Sequence, residues 1–236
     1  DMRRFYKITH KNNTKDLLEK VLSFDYYLCV GVVEDELEVV NNEGNIEIVP
    51  VVDENNNPIT CAIDIMLCEN SKLYFLTARG KAFYNRLMNN KFVALTGIKG
   101  ESTMTSVAIS LQGKVRNIGS NKLDEIFKVN PYMAEIYASE KSRNVLEVFE
   151  IYELNGEYFD LSQKPIFRQS FSLGSNEKNI NGYFITDKCV GCGNCYDSCP
   201  QSCINTSTIP AVIEQEHCLH CGKCAEVCSF NAVVRK

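Results

Sequence analysis

No run of apolar residues in this chain approaches the roughly eighteen that a membrane-spanning helix needs, so no such helix is expected. No block of basic residues is present either. Lys and Arg number 25 against 30 Asp and Glu, for a formal net charge of −5, which argues against a nucleic-acid partner. No G-x-G-x-x-G follows a strand-like run, so no Rossmann site for a nicotinamide is visible, although a nicotinamide could still stack directly on another cofactor. Nothing resembles a paired general acid and base. No secretory leader is expected, because the chain opens on the charged Asp1-Met2-Arg3-Arg4. Tryptophan is absent, and that absence excludes nothing.

Cysteine is what the chain has in excess. Twelve are present, and with no leader they imply free thiols, a reducing compartment and a cytoplasmic location. Nine fall in the last fifty residues, and eight of them are set at a regular spacing. Cys189, Cys192, Cys195 and Cys199 read C-x2-C-x2-C-x3-C, with Pro200 following. Cys218, Cys221, Cys224 and Cys228 repeat the spacing, with Ser229 in the proline place. Three soft, anionic ligands at two-residue gaps wrap three corners of a cubane, with a fourth close behind. Gly193 and Gly222 lie between the second and third ligands, where glycine permits close approach and positive φ. Amides in such a loop can point at sulfur and tune its potential. The rival metal is zinc, whose structural sites pair C-x2-C with a distant second pair rather than three consecutive ligands. A disulfide framework suits a short secreted chain, not this one. Exposed cubanes are oxygen-labile, which points to an anaerobic setting.

This spacing resembles that of bacterial ferredoxins, in which the fourth Cys of each run ligates the other cluster. The resemblance implies one [4Fe-4S] cluster on Cys189, Cys192, Cys195 and Cys228. The other would be on Cys218, Cys221, Cys224 and Cys199. Residues 187–204 align without gaps on residues 216–233, so each half supplies half of a pseudo-symmetric α+β unit. Cys203 falls opposite Ala232 and reads either as a buried thiol in an alanine position or as a ninth ligand. His217 and His220 flank the second run as loop residues able to donate to sulfur, or as ligands that four thiolates make unnecessary.

The first three quarters read as strands. Runs at 26–33, 46–52, 60–67, 72–77, 92–98 and 106–115 are punctuated by Asn- and Gly-rich turns at 41–45 and 55–58. Such spacing suggests an antiparallel barrel or sandwich. Helices are expected at 13–23, 81–90 and 122–130, with a further helical stretch at 132–139 after Pro131. A last hairpin is expected through 145–154 and 156–161. The expected organisation is a mostly β domain over 1–170, a polar linker over 171–182 and a small two-cluster domain over 183–236. Clusters would stand in for a hydrophobic core in a unit that small.

The stretch 72–97 is the most informative outside the cysteines. A strand ending at Thr77, a short turn and a helix starting near Lys81 bring a hydroxyl, turn amides, Arg79 and Lys81 toward one point. That is a ready anion site. The alternative is that Thr77 caps the helix and the basic residues are solvated. Tyr74-Phe75-Leu76-Thr77, Lys81, Asn89-Asn90, the strand at 92–96, Ser106-Val107 and Gln112-Gly113-Lys114-Val115 appear in the order of a known family. They resemble the FMN-binding split β-barrel of the pyridoxamine 5′-phosphate oxidase-like proteins, over roughly 13–170. The resemblance implies that Thr77 and Lys81 bind the FMN phosphate, with Arg79 as a helper. It also implies that the backbone at Ala62-Ile63-Asp64 meets the flavin ring, that Ser106 lies near it, and that the barrel is a homodimer. The dense Arg/Lys set and the C-terminal Arg/His substrate motif of the oxidases proper are missing, so oxidation of a pyridoxine phosphate is not supported.

Together these features predict an FMN- and iron–sulfur-dependent oxidoreductase. Cubanes pass one electron at a time, flavin handles one or two, and the protein supplies position and potential. Its partners would be an external carrier such as a ferredoxin and a small redox substrate. The alternatives are a non-catalytic electron relay serving a larger complex, or a binding module whose barrel holds haem, a deazaflavin or nothing.

Overall fold

The computed structural model describes residues 51–52, 58–174 and 181–236. The expected strand at 26–33, the helix at 13–23, most of the strand at 46–52, the turn at 41–45 and much of the linker lie outside the described residues. The described chain forms two compact units. One holds 58–99, 109–156 and 172–174, and the other holds 100–108, 157–171 and 181–236.

In chain order, β1 (Val51–Val52) pairs antiparallel with β2 (Pro58–Ile59). β3 (Leu67–Glu69) and β4 (Lys72–Ala78) form a hairpin in which Glu69 faces Lys72. Its two turn residues, Asn70 and Ser71, both take positive φ (51° and 62°), the twist that a two-residue hairpin requires. That turn fixes the register so that Leu67 faces Tyr74. Residues 60–66, expected as strand from composition, are irregular, and the Met66 amide donates to Tyr74 O at 2.8 Å.

Helix α1 (Ala82–Asn90) buries Phe83 and Leu87 and ends where Lys91 turns left-handed. β5 (Phe92–Lys99) and β6 (Val107–Asn117) follow, then α2 (Leu123–Val129), α3 (Met133–Ile136) and α4 (Glu140–Arg143). β7 (Leu146–Asp160) and β8 (Phe167–Leu173) complete a six-stranded sheet of order β3-β4-β7-β6-β5, with β8 also on β7. β4 runs antiparallel to β7, with Leu73 opposite Ile151 and Ala78 opposite Leu146. The expected hairpin at 145–161 is therefore one strand of 15 residues. β7 pairs with β6 and β8 as well as β4, and within it Asn155-Gly156 stays extended, so tertiary contacts override the local turn signal. A Cβ on Gly113 of β6 would come within 2.4 Å of Glu153 O, so close approach to β7 requires glycine there.

β6 alternates strictly, with Ile109, Leu111 and Val115 buried and Ser110, Gln112, Lys114 and Arg116 exposed. β4 does not, because both of its faces are covered. Phe75 stacks on Phe149 at 5.6 Å and meets Phe83 at 6.0 Å. Tyr74, one residue earlier and so on the other face, joins Met66, Ile126, Phe127, Met133, Leu146 and Val148. Burying one such side chain stabilises the fold by about 1.5–3 kcal/mol.

The C-terminal part is small and α+β. β9 (Tyr183–Ile185), α5 (Asn194–Asp197) and β10 (Ile204–Asn205) are matched by β11 (Val212–Ile213), α6 (Lys223–Glu226) and β12 (Val233–Arg235). β9 pairs with β12 and β10 with β11, so each ribbon takes one strand from each half. The strand-rich sheet with its few helices, and this α+β part, agree with the expected fold class. The left-handed residues repeat as well: Gly191, Gly193 and Ser202 correspond to His220, Gly222 and Asn231. The core here is thin, with Ile204, Ala211, Ile213 and the cysteines themselves at its centre.

Candidate metal centres and anion site

The glycine before each short helix, Gly193 (φ 82°) and Gly222 (φ 76°), turns the chain so that α5 and α6 each carry the third cysteine of their run. Gly191 N–H donates to Cys189 Sγ and His220 N–H to Cys218 Sγ, both at 3.4 Å. Ala232 N–H donates to Cys228 Sγ at 3.3 Å. Beyond α5 and α6 the chain crosses over. Cys189, Cys192, Cys195 and Cys228 line one cavity of about 460 Å³, part of it open to solvent. Cys199, Cys218, Cys221 and Cys224 line a second of about 320 Å³, and Cys203 lines it too. Among the described residues no three His, Cys, Asp or Glu side chains converge as on a single metal ion.

The electrostatics ask for a cation. Burial pushes the Cys224 thiol up to about 11, and the neighbouring Cys218 and Cys221 add to it. Cys195 is raised for the same reasons, burial first and then Cys189 and Cys192. Cys228 is held below its ordinary value: burial opposes this, but backbone amides from Ala232, Phe230, Val233 and Asn231 together outweigh it. Thiolates crowded in this way repel one another until iron supplies compensating charge. The donor set and the amides aimed at sulfur fit cubane clusters.

Cys203 is buried at 3% exposure, as is its counterpart Ala232 at 1%. Its Sγ lies 3.5 Å from Cys199 Sγ. His217 and His220 both face away from a ligand role at Nδ1. His217 Nδ1 meets Ile166 O and His220 Nδ1 meets Arg168 Nη1, each at 2.8 Å. Sequence reasoning missed Ile166 and Arg168 as the partners of these histidines, because both lie in a segment far from either cysteine run.

At the other candidate site, β4 ends at Ala78 and Lys81 N–H donates back to Ala78 O at 3.0 Å. Lys81, not Thr77, occupies the N-cap position of α1, and no side chain caps this helix. Its first turn carries no acidic residue, and the Tyr84 amide already donates to Lys81 O at 3.0 Å. Thr77 is 4% exposed, and its Oγ1 is buried without a hydrogen-bond partner. Lys81 is exposed. Arg79 is committed elsewhere, donating to Glu147 Oε1 at 3.1 Å and to Asn144 O. Glu147 also accepts from Asn117 and, at 2.7 Å, from Tyr84 Oη. Asn117 first, then Tyr84 and Arg79, hold its carboxyl below the usual range against the effect of burial. Ile63 is half-buried in the irregular stretch before β3. Ser106 belongs to the second compact unit, where its Oγ donates to Thr103 O at 2.8 Å.

Residues 181–229 match the family model of a 4Fe-4S dicluster domain. No curated protein matches the chain. Similar solved structures include a NimC/NimA family protein from Clostridium acetobutylicum, at 17% identity and a TM-score of 0.46, covering 54% of this chain and 83% of that one. A pyridoxamine 5′-phosphate oxidase-related, FMN-binding protein from Nostoc punctiforme is 12% identical with a TM-score of 0.38, over 56% of this chain and 86% of that one. Campylobacter jejuni ChuZ is 10% identical with a TM-score of 0.45, over 72% and 64% respectively. At scores this low a likeness identifies no function. No helix among the described residues is long and apolar enough to cross a membrane.

Proposed function

We propose that this protein is a redox protein in which two [4Fe-4S] clusters and one FMN exchange electrons between a one-electron carrier and a small substrate. The observation that carries the reading is the sorting of eight cysteines into two cavities, each with three thiols from one run and the fourth from the other. Cys189, Cys192, Cys195 and Cys228 hold one cluster, and Cys218, Cys221, Cys224 and Cys199 hold the second. Gly191, His220 and Ala232 supply the N–H groups that face their sulfurs. When bound, the clusters pass single electrons and the flavin pairs them.

The flavin half of the proposal rests on the sequence resemblance and on two features of the Thr77–Lys81 turn. Thr77 keeps a buried hydroxyl without a partner, and α1 begins without a side-chain cap. A phosphate would accept from both, with the Lys81 ammonium beside it and Arg79 shielded by Glu147. Ile63 backbone would meet the ring. A homodimer, as the resemblance implies, would complete the flavin site.

The test is cofactor content. Anaerobically purified protein should contain about eight irons and eight acid-labile sulfides per chain, and release about one FMN on denaturation. Zinc in place of iron would overturn the cluster assignment, and iron at full loading without flavin would overturn the flavin assignment.

A further inference from the structure

The two cavities have the same thiol chemistry but different electrostatic surroundings. No charged side chain is among the residues lining the first, and at the position of Lys223 in the second it has Asn194. Arg168 of β8 does not line the second cavity but reaches its cysteine loop through His220. The Arg168 side chain is only 14% exposed and lies over the Phe159 ring at 4.6 Å. Its Nη1 is 3.2 Å from Glu157 Oε2 and 2.8 Å from His220 Nδ1. Its Nε is buried with no acceptor in the protein.

His220 links this arginine to the cluster loop. Guanidinium has no acceptor, so His220 Nδ1 must accept from it, and the neutral ring then carries its proton on Nε2. The same residue's backbone N–H donates to Cys218 Sγ at 3.4 Å. His220 holds a left-handed φ of 55°, where the first half has Gly191. A side chain kept in a conformation that favours glycine is kept for its contact, and the contact here is Arg168.

A [4Fe-4S] cluster on four thiolates is anionic, and its reduction adds one further negative charge. A nearby cation stabilises the reduced form and raises the potential, more so when buried than in water. Arg168 is such a cation, only partly offset by Glu157, and no charged side chain lines the first cavity. We propose that Arg168, acting through His220, is the positioning and tuning residue of the second site. It sets the Cys199/Cys218/Cys221/Cys224 cluster at the higher reduction potential of the two. One electron delivered by a one-electron donor such as dithionite then resides at the second site, and the first cluster returns to its oxidised state. This inference rests on the two-cluster reading above.

The experiment is a potentiometric titration of the anaerobic holoprotein, with the two clusters distinguished by the hyperfine-shifted β-proton resonances of their assigned cysteines. The second site should reduce first. Arg168→Met should lower its potential and leave the first unchanged, Arg168→Lys should keep most of the shift, and Glu157→Gln should raise it. A merely structural arginine would not give opposite signs in the two variants. Reduction of the first site before the second in the unaltered protein overturns the proposal, as do shifts of the same sign or no shift. Should Arg168→Met fail to load its second cluster, Glu157→Gln decides alone: an upward shift supports the proposal and an unmoved potential overturns it. Iron analysis separates the two levels. Protein without iron overturns the cluster reading and this inference with it, whereas fully loaded protein with unmoved potentials overturns only the role of Arg168.

Discussion

Cys228 shares a cavity with Cys189, and not with Cys224, which precedes it by one helical turn. The crossover follows from geometry. α6 holds Cys224 at the second cavity, and Cys228, one turn later, emerges on the side where β12 meets β9. Cys228→Ala should therefore strip the cluster held by Cys189, Cys192 and Cys195, and leave roughly half the iron, on the other run. Iron analysis with cluster-resolved spectra checks this, and damage confined to the Cys218/Cys221/Cys224 cluster would contradict it.

Cys203 lies against Cys199 but occupies the place that Ala232 fills in the other half. Four thiols already line that cavity without it. Cys203→Ala should retain full iron and cost about 1 kcal/mol or less of stability, since only one sulfur is removed from a small packing site. Loss of iron from the second site alone would instead make Cys203 a ligand.

The cysteine runs were legible because their chemistry is local in sequence: a cubane loop is built from three-residue steps, and spacing alone encodes it. Helices at 81–90 and 122–130 were legible for the same reason, from their own apolar periodicity, and appear as Ala82–Asn90 and Leu123–Val129. What misled was local signal overruled from a distance. Asn155-Gly156 reads as a turn, yet it lies inside one strand of 15 residues that pairs with its neighbours in the sheet. Residues 60–66 have strand composition, yet the strand that pairs with β4 is confined to Leu67–Glu69. Arg168 carries no motif at all. Its role arises only when β8 and the second cysteine loop are brought together, and no spacing within either segment records that.

Glu150 of β7 is buried at 5% exposure and accepts from Tyr74 Oη at 3.2 Å, with Lys72 at 3.1 Å and Arg116 at 2.5 Å. Burial pushes its carboxyl up, but Lys72 and Arg116 together hold it below the usual range. A depressed carboxyl contributes stability above its unfolded value near 4.5, and the contribution is lost as pH falls through the lower folded value. Glu150→Gln should cost about 1–2 kcal/mol at neutral pH, discounted because both cations are partly exposed. The gap from the unaltered protein should close on acidification. Hydrogen exchange of β4 and β7 amides at neutral and acidic pH measures it, and a gap that widens in acid would refute the assignment.

Thr77 offers the sharpest test of the flavin assignment, because its hydroxyl costs stability without a ligand. An unpartnered buried hydroxyl is destabilising relative to an apolar group of the same shape, by about 1 kcal/mol or more. Thr77→Val should thus leave the flavin-free protein as stable or more stable, while weakening FMN binding. Lys81 is exposed, so Lys81→Ala should leave iron content and stability alone. It should weaken FMN by roughly tenfold, the worth of one charge-assisted contact to phosphate. Fluorescence titration of released and re-added FMN reads both. Two variants that lose FMN while one gains stability and the other keeps it cannot be explained by unfolding. If both bind FMN as tightly as the unaltered protein, the phosphate does not sit at this turn.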